Sequence, residues 1–175
     1  VGGAWMAVEL LIQSGGQIYA PALEGEITLD LERKGTPGQL NFSVLKDDAL
    51  VFEEGNSVTV KVDGVKFFYG FVFTKKEDKG PTIKVTAYDQ LRYLKNKDTY
   101  VYSGKSAADL LRMIADDFRL NLGTVKDTGF VIESRVEDNK TLFDIIQTAL
   151  DITVQNTRRL YVLYDDFGGL SLRVF

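Results

Sequence analysis

Apolar residues recur at every second position through much of the first hundred residues, and this period of two constrains the fold more than any other feature of the sequence. Ile27, Leu29 and Leu31 fall on one side of an extended chain. After a glycine- and proline-containing turn at 35–38 the alternation resumes, which predicts a hairpin over 26–45. Such alternation is typical of strands that bury one face.

The neighbouring segments repeat this pattern, with turn signals between them. Asp63-Gly64 is a dipeptide that favours the two-residue turn of a β-hairpin. Short strands with regular turns predict a small antiparallel β-barrel or sandwich, and we expect a barrel here. The further predicted strands are 5–13, 57–62, 65–74 and 82–88.

Helical spacing replaces the alternation in the second half of the chain. Ser106 precedes an apolar stripe with an aspartate three positions later, which is the pattern of a helix N-cap. Thr141 begins the same arrangement. The spacing therefore predicts helices over 107–119 and 142–156.

The two patterns divide the chain into a β-barrel domain, 1–98, and an α/β domain, 99–175. Residues 88–94 suggest a tight turn or short helix, and 95–98 a polar connector. Two strands flank a predicted hairpin loop at 165–169. The chain stops inside the second of them, and we expect that it is truncated at its C-terminus. The predicted fold class is α+β, mainly β.

The composition excludes much of the common enzyme chemistry. The 175 residues include no histidine and no cysteine, which removes Ser-His-Asp triads, thiolate nucleophiles, disulfides and the usual zinc sites. A net charge of −4 and a pI near 4.9 argue against nucleic-acid specificity. The sequence has no membrane-length apolar run, and its start lacks a signal-peptide pattern. We expect no cofactor and no metal site.

Adjacent carboxylates are the remaining catalytic candidates. Neighbouring residues diverge on a strand or a helix, so no adjacent pair can act alone as the two facing carboxylates of a glycosidase. Two carboxylates from different pairs can still meet in space, which leaves a cell-wall glycosidase or a glycan-binding module as the alternative function. The pairs are Asp47-Asp48, Glu53-Glu54, Asp116-Asp117 and Asp165-Asp166.

Three short motifs resemble known functional sites, but each lacks elements that the site requires. Residues 165–169 lack the alternating oxygen ligands and the twelfth-position acid of a calcium loop. The D-F-G tripeptide at 166–168 lacks every other kinase element. The G-K-S string within 103–106 lacks the upstream glycine of a phosphate-binding loop.

The aromatic run at 67–73 is the most unusual local feature. In a regular strand its odd-numbered residues share one face and its even-numbered residues the other, so both faces are bulky and apolar. One face then belongs to the core, and the second is covered by a neighbouring element or contacts another subunit. A base-stacking platform is disfavoured by the acidic balance. The candidate subunit-interface residues are Phe67, Phe68, Tyr69, Phe71 and Phe73.

Four strings carry a family resemblance: 88–100, 108–118, 127–129 and 140–151. They are similar to the XkdQ/YqbQ family of phage-like tail proteins from Gram-positive prophages. The resemblance covers about residues 85–172, whereas residues 1–84 match only in their strand-rich style.

The resemblance implies a structural part of a contractile tail, comparable with the baseplate hub of phage T4. Such a hub has two small barrels joined by an α/β segment, and this chain would hold the first barrel and the start of that segment. Three copies would form a ring linking the tail tube to the spike. The resemblance carries no catalytic residues. It implies assembly in the bacterial cytoplasm and then residence in a virion or phage-like particle.

Overall fold

The computed structural model describes residues 7–31 and 37–175, which form two compact units. Within the described residues the first unit ends at Asp89 and the second runs from Gln90 to Phe175. The domain boundary expected after residue 98 stays a prediction. None of the described helices has the length and the apolar character needed to cross a membrane.

The first unit is a seven-stranded antiparallel sheet with the strand order β2-β1-β5-β6-β7-β4-β3. Its mainly β character confirms the predicted fold class, but the predicted barrel is wrong because the described sheet is open. No pairing joins its edges, β2 and β3, and β2 ends just before Pro21, whose missing N–H cannot extend a ladder. The strands are β1 (Val8–Ser14), β2 (Gln17–Tyr19), β3 (Leu23–Asp30), β4 (Gln39–Leu45), β5 (Ser57–Val62), β6 (Val65–Glu77) and β7 (Thr82–Tyr88).

The predicted hairpins are present. β3 pairs with β4, and β5 turns into β6 through Asp63 and Gly64, whose φ angles of 51° and 78° are those of a two-residue hairpin turn. Leu31 was predicted on the same side of the strand as Ile27 and Leu29, but it follows the end of β3 and is 62% exposed. Residues 5–6 of the predicted strand 5–13, and 32–33 and 35–36 of the predicted hairpin over 26–45, lie outside the described residues.

The core of the first unit lies on the inward face of this sheet. Alternate residues of β4, β5 and β7 are buried, as the period of two predicted. Fully burying each Val, Leu, Ile or Phe side chain among them contributes about 1.5–3 kcal/mol. The core side chains are Leu10, Ile12, Leu40, Phe42, Val44, Phe52, Val58, Val60, Phe68, Val72, Ile83, Val85 and Ala87.

The second unit combines two small sheets with two helices. The strands β8 (Lys97–Ser106) and β10 (Val131–Thr141) pair antiparallel with each other. The central strand β12 (Gly169–Val174) pairs with β11 (Tyr161–Asp166) and, in parallel, with β9 (Leu122–Val125). A 3₁₀ helix, Gln90–Lys95, begins the unit, and the α-helices are α1 (Ala107–Asp117) and α2 (Leu142–Thr157).

Both predicted helices are confirmed together with their caps. Ser106 Oγ accepts a hydrogen bond from Asp109 N, and the Asp109 carboxylate accepts one from Ser106 N, which completes a capping box. Thr141 Oγ1 accepts from Asp144 N. Helix α1 ends two residues before its predicted end at 119, where Arg119 adopts a φ of 54°.

Two details of the second unit differ from expectation. The polar segment 95–98 is not a simple connector, because its last two residues begin β8 and lie opposite Thr141 and Lys140. The terminal hairpin is confirmed, with Phe167 and Gly168 as its turn. Its last strand was expected to need a partner beyond residue 175, yet β12 is paired on both sides. The expected truncation stays a prediction.

The backbone at Gly70 in β6 passes very close to its neighbours. A Cβ atom there would lie 2.4 Å from the ring of Phe68 and 2.4 Å from the carbonyl oxygen of Tyr88. We expect Gly70→Ala to destabilise the first unit by about 1–3 kcal/mol, the usual cost of overpacking, in urea unfolding. Gly80→Ala is the matched control, because its Cβ would meet only the flexible Asp78 carboxylate. Equal stability of the two variants would contradict the steric argument.

Candidate functional site

The aromatic strand β6 divides its side chains unevenly between the core and the surface. Phe68 is 3% exposed in the core, so its place among the candidate interface residues is corrected. Tyr69 and Phe71 are half-buried on the opposite face, where their rings meet edge to face with centroids 5.9 Å apart. Phe67 and Phe73 are 48% and 47% exposed. We call Phe67, Tyr69, Phe71 and Phe73 the aromatic face.

The two most exposed aromatic residues of β6, Phe67 and Phe73, lie at shifts in strand register. Two successive residues of β5 pair with Lys66 and Phe68 of β6. Two successive residues of β7 pair with Val72 and Thr74 of β6. The pairing therefore skips Phe67 in the ladder with β5 and Phe73 in the ladder with β7, as in a β-bulge. The Phe73 ring also contacts Tyr88 edge-on, with centroids 5.1 Å apart. Bulges redirect side chains, which the sequence alternation could not predict.

Lys75, two residues after the aromatic run, contacts Phe52. Lys75 Nζ donates to the carbonyl oxygen of Phe52 at 2.8 Å and lies 4.5 Å from the centroid of the Phe52 ring. It also lies 3.4 Å from a carboxylate oxygen of Glu77. Lys75 therefore holds the segment between β4 and β5 against β6.

Two concavities of the described surface are each lined by a single acidic side chain. A cleft beside the β2–β3 connection is lined by one carboxylate, Asp47, and a shallow concavity beside the end of α1 by one, Asp116. Asp117 instead accepts a hydrogen bond from the Tyr100 hydroxyl at 2.7 Å. Across residues 7–31 and 37–175, no three acidic side chains gather as metal ligands would.

Gln90 joins three segments of the second unit, a role that the sequence did not reveal. Its side-chain amide donates to the carbonyl oxygens of Gly168 and Asn121, and its Oε1 accepts from Asn121 N at 2.9 Å. Its backbone N–H donates to Asp165 Oδ2 at 3.0 Å, while Asp165 Oδ1 accepts from Gly168 N at 2.7 Å. Burial raises the pKa of Asp165, although these two hydrogen bonds oppose the rise. Asp165 therefore fixes the hairpin turn.

Glu137 is a buried carboxylate held by two cations. Its side chain is fully buried, and its Oε1 accepts from Arg135 Nε at 2.9 Å and from a second guanidinium nitrogen at 2.6 Å. Lys140 Nζ donates to Oε2 at 2.6 Å. Burial opposes ionisation of Glu137, but the hydrogen bonds from Lys140 and Arg135 outweigh it, so the pKa lies below its ordinary value.

Tyr102 lies opposite Arg135 and carries an unsatisfied hydroxyl. The residue is 3% exposed, and in the described part of the chain its hydroxyl is the buried side-chain group that lacks a hydrogen-bond partner. Burial raises its pKa, and the negative charge of Glu137 adds to the rise. Leaving such a group unpaired costs about 1–3 kcal/mol.

The sequence of this chain is similar to those of known proteins. A model of the YQBQ-like family matches residues 27–175. The chain belongs to this family. It is 41% identical over 124 residues to the phage-like element PBSX protein XkdQ of Bacillus subtilis, and 39% identical over 124 residues to the uncharacterized protein YqbQ of the same organism. These matches confirm the resemblance seen in the sequence. Each alignment covers 70% of this chain and 38% of the relative.

Solved structures show the same fold as this YQBQ-like chain. The 43 kDa tail protein of prophage MuSo2 from Shewanella oneidensis superposes with a TM-score of 0.69 at 16% identity. A tail protein from Neisseria meningitidis and the prophage tail protein gp18 from Listeria monocytogenes each superpose with a TM-score of 0.61, at 14% and 12% identity. The chain is covered to 94–95%, but it spans only 50–53% of those proteins.

The two tyrosines of β8 form a matched pair for a stability test. Tyr100→Phe removes the hydrogen bond to Asp117 and should lower the free energy of unfolding by about 1 kcal/mol. Tyr102→Phe removes only an unsatisfied hydroxyl and should leave stability unchanged or raise it by up to about 2 kcal/mol. Urea unfolding at pH 7 compares both variants with the parent chain. A larger loss for Tyr102→Phe than for Tyr100→Phe would contradict the assignment.

Glu137 should make stability depend on acid pH. Because its folded pKa lies below its ordinary value of 4.5, its contribution is present above that value and is lost as the pH falls through the folded pKa. Glu137→Gln should cost about 1–3 kcal/mol at pH 7, since both cations remain partly exposed. The cost should shrink towards pH 3 in unfolding curves. A cost that does not change with pH would show that the charge is unimportant.

Proposed function

We propose that this chain is a structural component of a phage or phage-like contractile tail, within the baseplate hub that links the tail tube to the spike. Family membership carries the proposal, because the relative XkdQ belongs to a phage-like element and the proteins that share the fold are tail proteins. Three copies form the hub ring with further parts of a longer protein. Its place is the bacterial cytoplasm during assembly and the particle afterwards.

The aromatic face is the surface that we assign to subunit contact. Aromatic side chains are enriched in the cores of protein interfaces, where they exclude water over a large area. Here the register shifts turn Phe67 and Phe73 into half-exposed positions at the two ends of a half-buried pair, Tyr69 and Phe71. A rigid sheet therefore presents a row of apolar groups that a neighbouring subunit can cover.

The same observations support a role without catalysis. The two clefts described above each contain a single carboxylate, and the strongly held acids, Glu137 and Asp165, are occupied by cations or backbone N–H groups. A carboxylate that is fully engaged in this way stabilises the fold. Neither is placed to act as the acid or the base of a glycosidase.

Substituting the aromatic face should weaken association without unfolding the sheet. Phe67→Asp with Phe73→Asp places charge where the proposed contact excludes water, so binding to the other hub copies or to the tube and spike proteins should weaken by at least about tenfold. Analytical ultracentrifugation and binding assays with the cognate tail proteins measure this change. Urea unfolding checks that the sheet is intact.

Val51→Asp is the matched control, because Val51 is 64% exposed in the same unit but lies outside the aromatic face. Unchanged association of the double variant would reject the aromatic face as the contact. The structural role would be overturned if the parent chain released peptidoglycan fragments and a variant with one carboxylate neutralised did not. So would a full-length protein that neither self-associates nor binds its tail proteins.

A further inference from the structure

The ribbon formed by β8 and β10, 97–106 and 131–141, has two long strands that pair only with each other in the described chain. Its inner face is buried, with Tyr100 and Tyr102 among the core residues of the second unit. Both outer edges therefore lack a strand partner within residues 7–31 and 37–175. Long unpaired edges are templates for pairing with another chain.

The outer face of the ribbon is apolar and exposed at its centre. Val101 and Val136 lie directly opposite each other, yet they are 71% and 68% exposed. Directly opposed valines already shield each other, so this exposure shows that no described part of the chain covers them. Ser103 and Ser134 form the next opposed pair on this face.

The two edges carry opposite net charges, which favours a second copy of this chain as the partner. Before the register shift that follows Glu137, β8 carries one lysine over 100–106, a net charge of +1, whereas β10 carries two carboxylates and one arginine over 131–137, a net charge of −1. Two β8 edges, or two β10 edges, would place like charges together. A β8 edge beside a β10 edge brings unlike charges together, as complementary cross-strand pairs require.

We propose that the β8 edge of one copy pairs antiparallel with the β10 edge of a second copy of this chain. The proposal rests on the hub function, which requires copies to associate. Such a contact joins unlike surfaces, so each copy keeps one free edge and the assembly continues until it closes as a ring. The register shift between Glu137 and Lys140 limits the contact on β10 to 131–137.

If the neighbour repeats the intrachain register, Val101 of one copy lies opposite Val136 of the next. Opposed residues of antiparallel strands have Cα atoms about 4.5–5.5 Å apart, within the range that a disulfide needs. The chain contains no cysteine, so introduced thiols report on the contact without background. The test uses two single variants of the whole chain, Val101→Cys and Val136→Cys, oxidised separately and as a mixture.

The mixture should yield a cross-linked dimer within minutes, at least about tenfold more than either variant alone. A second mixture, Val51→Cys with Val65→Cys, controls for random collision, because both valines are exposed in the first unit. Dimers from Val101→Cys alone or Val136→Cys alone would overturn the proposal in favour of like-edge pairing. Cross-linking no greater than in the control mixture would also overturn it.

The outcomes separate this proposal from the function on which it rests. One outcome is that copies associate, that substituting the aromatic face weakens this association, and that no cross-link forms at the ribbon. This outcome would reject the ribbon contact and leave the hub role intact. A chain that binds neither itself nor its tail proteins would reject both. Val136→Asp should weaken self-association by at least about tenfold, and Val65→Asp, the matched exposed valine of the first unit, should not.

Discussion

The hydrogen bonds of the Gln90 side-chain amide set the position of β9 in the second unit. A single buried side chain satisfies the carbonyl oxygens of Gly168 and Asn121 and the N–H of Asn121, so it ties the hairpin turn to the residue that leads into β9. Buried backbone groups need partners, and few side chains offer both a donor and an acceptor at one position. Gln90 thereby fixes where the parallel strand β9 can meet β12.

The parts of the fold that depend on local chemistry could be predicted from the sequence. The caps at Ser106 and Thr141 act within four residues, and the Asp63-Gly64 turn needs only its own φ preferences. The inward alternation of β4, β5 and β7 follows in the same way from one-sided burial.

The parts that depend on distant partners could not be predicted. β9 has four residues, of which three are exposed, and its position is set by β12, nearly fifty residues later in the chain. The beginning of β8 reads as a polar connector because its strand character comes from pairing with β10. The residue types alone identified the aromatic run as a candidate interface. The burial of Phe68 and the exposure of Phe67 and Phe73 depend on the register of β6 with β5 and β7, which the sequence does not show.

The register shift at Phe73 also determines what happens further along β6. In an uninterrupted strand Lys75 would share the outer face with Phe71, but one extra residue inverts the phase of the pleat. Lys75 then lies opposite Val85, a core residue, and its ammonium group reaches the Phe52 ring. A one-residue deletion near Phe73 would thus exchange the two faces for the rest of the strand. The chain can tolerate substitution there far more readily than a change in length.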